Sequence, residues 1–100
     1  MMKSTAFLIN TSRGAVIDES ALITALQTRS IAGAALDVYA QEPHVPTGLT
    51  SLSNAVLLPH LGSATLETRV RMGLICLANI AAVLEGRPAP NQVNRGVLKG

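Results

Sequence analysis

A short apolar run, then a capped helical pattern, then a second apolar run: this order constrains the fold more than any other feature of the chain. Ala6-Phe7-Leu8-Ile9 is a short apolar run and reads as a buried strand. Asn10-Thr11-Ser12-Arg13-Gly14 ends it with polar residues and a glycine suited to a tight turn. Asp18 then stands as a helix N-cap, with Ile17 and Leu22 at the spacing of a hydrophobic staple. Ala21, Leu22, Ala25 and Leu26 form one apolar helical face, and the pattern runs out near Thr28. Gly33-Ala34-Ala35-Leu36-Asp37-Val38 is the second apolar run. That separation fits the crossover of a right-handed βαβ unit and therefore parallel strands.

The remainder extends the same theme. Tyr39 to Asn54, with Pro43, Pro46 and Gly48, is a long connection of the kind that is often functional. Ala55-Val56-Leu57-Leu58 supplies a third strand, followed by Pro59-His60-Leu61-Gly62-Ser63-Ala64-Thr65. Ser63 or Thr65 can cap a final helix running to about Glu85, with Glu67 and Arg71 as a surface pair worth about 0.3 kcal/mol. From Met72 onward this helix is apolar on nearly every face, which predicts cover from another domain or subunit. Gly86, Pro88 and Pro90 stop it, and the tail to Gly100 reads as irregular. The fold class expected is α/β: a partial parallel sheet of about three strands, a crossover helix and a long C-terminal helix.

Composition narrows the function classes. A chain of 100 residues, 48% hydrophobic and 14% charged, is expected to fold. Phe7 and Tyr39 are its only aromatics and the basic residues are dispersed, which argues against a nucleic-acid partner. The lone Cys76 excludes an internal disulfide and lies in an apolar pattern, where a buried, inert thiol is expected. Met72 to Leu84 is too short to span a bilayer, and no export signal is visible. A cytoplasmic protein without a membrane partner is the expectation.

Parallel strands would gather Asn10 to Arg13, Asp37 and His60 at one edge of the sheet, within reach of Glu42 on the following loop. An arginine, two carboxylates and a histidine suit a small anionic substrate. Each also has a plainer reading. Arg13 can be a solvated turn residue, Asp37 a turn cap, Glu42 a surface acid and His60 a hydrogen-bonded structural histidine. His44 reads as exposed. No ligand spacing supports a metal site at His44, His60 and Glu42, and Ser63 lacks the GxSxG elbow of a hydrolase nucleophile.

Taken together, Leu8-Ile9-Asn10-Thr11-Ser12-Arg13-Gly14 with Asp18-Glu19, Gly33 to Tyr39 with Glu42-Pro43, and Pro59 to Thr65 with Glu67-Thr68-Arg69 resemble the D-2-hydroxyacid dehydrogenase family. Asn91-Gln92-Val93-Asn94 is similar to its closing motif. The resemblance runs from about Lys3 to Asn94 and is nearest the glyoxylate/hydroxypyruvate reductase branch. It implies a Rossmann-like fold, with residues 1–62 as the second half of a dinucleotide-binding domain. Residues 63–100 would be a long helix and tail returning to a substrate domain.

The resemblance also implies an oxidoreductase that interconverts a 2-keto acid and a D-2-hydroxy acid by hydride transfer. In that reading Arg13 grips the substrate carboxylate and carbonyl, His60 is the acid/base and Glu42 pairs with it. The cofactor is NAD or NADP, contacted at its nicotinamide end by Thr11, Arg13, Asp37, His60, Gly62 and Ser63. The family's glycine-rich phosphate loop and ribose-binding acid are absent from this sequence, so little turnover is expected of the chain alone. The alternative is a non-catalytic subunit or interaction module that associates with itself or a partner chain through the apolar helix. A smaller departure is Arg29, where many relatives carry glycine; a left-handed backbone there would cost about 1 kcal/mol.

Overall fold

The computed structural model describes residues 2–94 and 96. The chain divides into two compact units, residues 1–62 and 63–100. The first contains β1 (Phe7–Asn10), α1 (Glu19–Gln27), β2 (Gly33–Leu36), α2 (Thr47–Thr50) and β3 (Ala55–Leu57). The second contains α3 (Leu66–Leu84).

The strands form one parallel sheet in the order β1-β2-β3. In the register Ile9 stands beside Ala35, and Ala35 beside Val56. Alternation along each strand then separates two faces. Leu8, Ala34, Leu36, Ala55 and Leu57 point into a core completed by Leu22 and Leu26 of α1 and Leu49 of α2. On the other face Phe7, Ile9 and Val56 are 70%, 72% and 60% exposed, so β1 is covered on one face only, which corrects the buried strand expected from its apolar run. The Tyr39 hydroxyl donates to the Leu58 carbonyl at 2.9 Å, with the Leu36 carbonyl at 3.3 Å, and so ties together the segments leaving β2 and β3.

The helix signals operate as the local chemistry requires. The Asp18 carboxylate accepts the N–H groups of Ser20 and Ala21, each at 3.0 Å, and Ile17 packs on the core with Leu22. The segment Gly14–Val16 is a single 3-10 turn. Arg29 has φ 55°, the left-handed conformation whose cost to a non-glycine residue is about 1 kcal/mol. The long connection after β2 is less irregular than its prolines imply, because Thr47–Thr50 closes one helical turn that buries Leu49 completely.

In the second unit Thr65, not Ser63, caps α3 by accepting the Thr68 N–H. At its other end Gly86 has φ 72°, and the Arg87 N–H reaches the Ala82 carbonyl at 2.8 Å, closing the carbonyl end of the helix. Asn79, which breaks the apolar run, makes a reciprocal clasp with Asn91: Asn79 Nδ2 donates to Asn91 Oδ1 and the Asn91 N–H to Asn79 Oδ1, both at 3.0 Å. Of the residues in α3 only Ala82 is buried. Cys76 is therefore exposed, correcting the buried thiol expected from its apolar neighbours. Among the described residues Glu67 and Arg71 form no ion pair. The irregular tail reads correctly as far as Asn94; residues 95 and 97–100 lie outside the described residues.

Candidate active site

Parallel pairing brings the carboxyl ends of β1, β2 and β3 to one edge of the first unit, which is where open α/β sheets hold ligands. After β1, the buried Asn10 organises the turn. Its Nδ2 donates to the Arg13 carbonyl at 2.9 Å, and its Oδ1 accepts from the Ser12 N–H and hydroxyl. Thr11 and Arg13 are left exposed on this turn, and the Arg13 guanidinium donates to the Ser12 carbonyl at 2.6 Å.

After β2, Asp37 is 5% exposed yet fully engaged. One carboxylate oxygen accepts the Leu61 N–H at 2.7 Å and the other the Gly62 N–H at 2.8 Å. These amides immediately follow His60, whose φ is 56°. A left-handed histidine is strained by about 1 to 2 kcal/mol, and the pair of strong charge-assisted bonds directly after it opposes that strain. Asp37 thus caps a turn in this structure, the plainer of its two readings, while lying at the edge where the other reading requires it.

Glu42 and His60 meet. His60 Nδ1 lies 2.7 Å from Glu42 Oε2, with side chains 47% and 34% exposed. The other Glu42 oxygen accepts the Tyr39 N–H at 3.0 Å, so both carboxylate oxygens are fixed. The hydrogen bond with His60 is the main cause that holds the Glu42 carboxyl below the usual glutamate range; the Tyr39 N–H and the charges of His60 and Arg13 act in the same direction. Burial pushes the Tyr39 phenol up, keeping its hydroxyl a donor.

Arg13, Glu42, His60, Asp37, Thr11 and Gly62 all belong to this unit, and Arg13 is close enough to Glu42 to influence its charge. Ser63 opens the second unit, where its carbonyl accepts from the Arg69 Nε at 3.2 Å. His44 is exposed. Among the described residues no three His, Cys, Asp or Glu side chains gather as a metal site, and no helix is long and apolar enough to cross a membrane.

Two residues matter that their types alone did not mark. Asn10 reads as the polar end of a strand, and only its burial shows that it builds the Arg13 turn. Glu19 enters the sequence reading only beside Asp18 in the first motif, with no role assigned, yet its Oε1 accepts the Ala40 N–H at 2.8 Å.

The family model described as D-isomer specific 2-hydroxyacid dehydrogenase, NAD binding domain, matches residues 1–62. A glyoxylate reductase of Thermofilum pendens is 54% identical over 99 residues, covering 98% of this chain and 29% of the relative. A glyoxylate reductase of Aeropyrum pernix is 50% identical over 100 residues, covering 99% and 30%. Among solved structures, an NADPH-dependent glyoxylate/hydroxypyruvate reductase from Sinorhizobium meliloti, in complex with NADP and malonate, superposes with a TM-score of 0.79 at 47% identity. That match covers 81% of this chain and 25% of the other. The chain spans less than a third of the length of these relatives. With its partial Rossmann-like sheet and its match to the NAD binding domain, the chain belongs to the D-isomer specific 2-hydroxyacid dehydrogenase family of oxidoreductases.

Proposed function

We propose that this chain carries the acid/base pair and the carboxylate-binding arginine of an NAD(P)-dependent dehydrogenase that interconverts a 2-keto acid and a D-2-hydroxy acid. The observation that carries the reading is the 2.7 Å contact between His60 Nδ1 and Glu42 Oε2 at the carboxyl edge of a parallel sheet. A carboxylate on Nδ1 orients the ring, leaving Nε2 to hold or take the proton of a substrate oxygen. Arg13, exposed and cationic, suits a carboxylate, whose two oxygens match the guanidinium fork. Glyoxylate or hydroxypyruvate is the proposed substrate class.

The nicotinamide end of NAD or NADP fits the same edge. Gly62 leaves open a space where a Cβ would lie 3.4 Å from Asp37 Oδ2, and Thr11 and Arg13 border the first strand end. A bound nicotinamide would supply or accept the hydride. In the same proposal residues 1–62 are the second half of the dinucleotide-binding domain, and residues 63–100 lead toward a substrate domain. The location is cytoplasmic. The 100-residue chain by itself is expected to show little or no turnover, because hydride transfer needs both reactants held in register.

The test is a chimera in which this chain replaces the matching segment of the Thermofilum pendens glyoxylate reductase. Oxidation of NADH or NADPH by glyoxylate or hydroxypyruvate, followed at 340 nm, is expected. A folded chimera without turnover would overturn the proposal. A second reading, association through the apolar helix, draws on the exposure of Leu74, Leu77, Ile80 and Val83 at 60%, 63%, 55% and 59%.

A further inference from the structure

The turn that carries Glu42 is held from outside the pair. The Tyr39 N–H goes to Glu42 itself, at 3.0 Å. The next N–H, that of Ala40, goes to Glu19 Oε1 at 2.8 Å, across a sequence separation of 21. The peptide between Tyr39 and Ala40 also lies directly on Gly14, where an added Cβ would overlap the Tyr39 carbonyl and the Ala40 nitrogen. Gly14 is buried and follows Arg13. The beginning of α1, the Arg13 turn and the Glu42 turn are thus locked at one peptide unit.

We propose that Glu19 is a positioning residue for the His60–Glu42 pair, acting through the Ala40 N–H to fix the turn from which Glu42 reaches the imidazole. The inference rests on the acid/base reading of that pair proposed above. It differs from an ordinary helix-end role, in which an acid in the first turn only complements the helix dipole. The dipole needs charge near the first turn; the Ala40 bond needs an acceptor oxygen at the reach of a glutamate side chain.

Three variants separate these requirements. Glu19→Gln keeps the acceptor and loses the charge. Glu19→Asp keeps the charge and loses the reach. Glu19→Ala loses both. The readouts are the titration of the Glu42 side-chain carbon and the exchange of the Ala40 amide, both by NMR on the 100-residue chain. The expected result is a Glu42 midpoint below the ordinary range in the unaltered chain and in Glu19→Gln. In Glu19→Asp and Glu19→Ala it moves up toward that range, with Ala40 exchanging at least tenfold faster. Loss of the Glu19 charge alone would leave the His60 and Tyr39 partners of Glu42 in place.

Equal midpoints in the unaltered, aspartate and alanine forms would overturn the inference, as would equal shifts in the glutamine and alanine forms. If the alanine form does not fold, the aspartate form decides alone. If neither folds, Ala40 exchanging at free-loop rates in the unaltered chain overturns the inference, and at least tenfold slower exchange supports it. A Glu42 midpoint that is not depressed in the unaltered chain would overturn the pair itself, a separate result from loss of the clamp.

Discussion

Glu42 connects the geometry to a pH dependence. Its carboxyl is lowered in the folded chain first by the hydrogen bond with His60 and then by the Tyr39 N–H. The unfolded chain takes up the proton near the ordinary value of 4.5, and the folded chain only below it. Between those points the unfolded state binds more protons, so stability is complete above the window and declines as pH falls through it. Asp18 acts in the same direction, chiefly through the Ser20 hydroxyl and the Ala21 N–H. Glu42→Gln is therefore expected to flatten, without abolishing, the acid limb of stability in urea unfolding at a series of pH values. An unchanged slope would show that the pair does not form in solution. Arg13, Glu42 and His60 were legible because their types and order follow a family pattern. The left-handed backbone at His60 and the use of both Asp37 oxygens on Leu61 and Gly62 were not, since they depend on contacts more than 20 residues apart.

At the scale of elements, Gly14 has the most demanding role. Its backbone accepts the Tyr39–Ala40 peptide so closely that no side chain fits between them. Gly14→Ala is expected to separate the Arg13 and Glu42 turns and to destabilise the chain by about 1 to 3 kcal/mol or more, as overpacking does. Thermal unfolding together with the Glu42 titration would register both effects, and wild-type values in both would refute the close approach. Among the described residues the sequence pattern located every strand and both long helices, because apolar run length and the caps Asp18 and Thr65 act locally. It missed α2, whose TGLT segment has too few residues for periodicity and is held by burial of Leu49. It also misplaced Cys76, because an apolar pattern reports a tendency to be covered and not the cover itself.

Over the whole molecule, two apolar surfaces dominate. One is the sheet face bearing Phe7, Ile9 and Val56; the other is the length of α3. Parallel sheets are ordinarily covered on both faces, and apolar patches of this kind mark interfaces. The purified chain is expected to associate in a concentration-dependent way. Leu77→Glu combined with Ile80→Glu is expected to shift sedimentation toward the monomer, provided α3 is the surface used. No shift in a folded double variant would move the interface to the sheet face. These surfaces were readable as apolar from residue type alone, but their exposure follows only from the strand register and from what the rest of the chain leaves uncovered.

The central claim is that His60 exchanges the substrate proton. The most direct test is the turnover number of the glyoxylate reductase chimera with and without His60→Asn. Asparagine tolerates the left-handed φ of 56° but has no ring nitrogen to exchange a proton. A fall of about 10² to 10⁴ in kcat, with the fold retained, is the predicted result. A variant within tenfold of the unaltered chimera would contradict it.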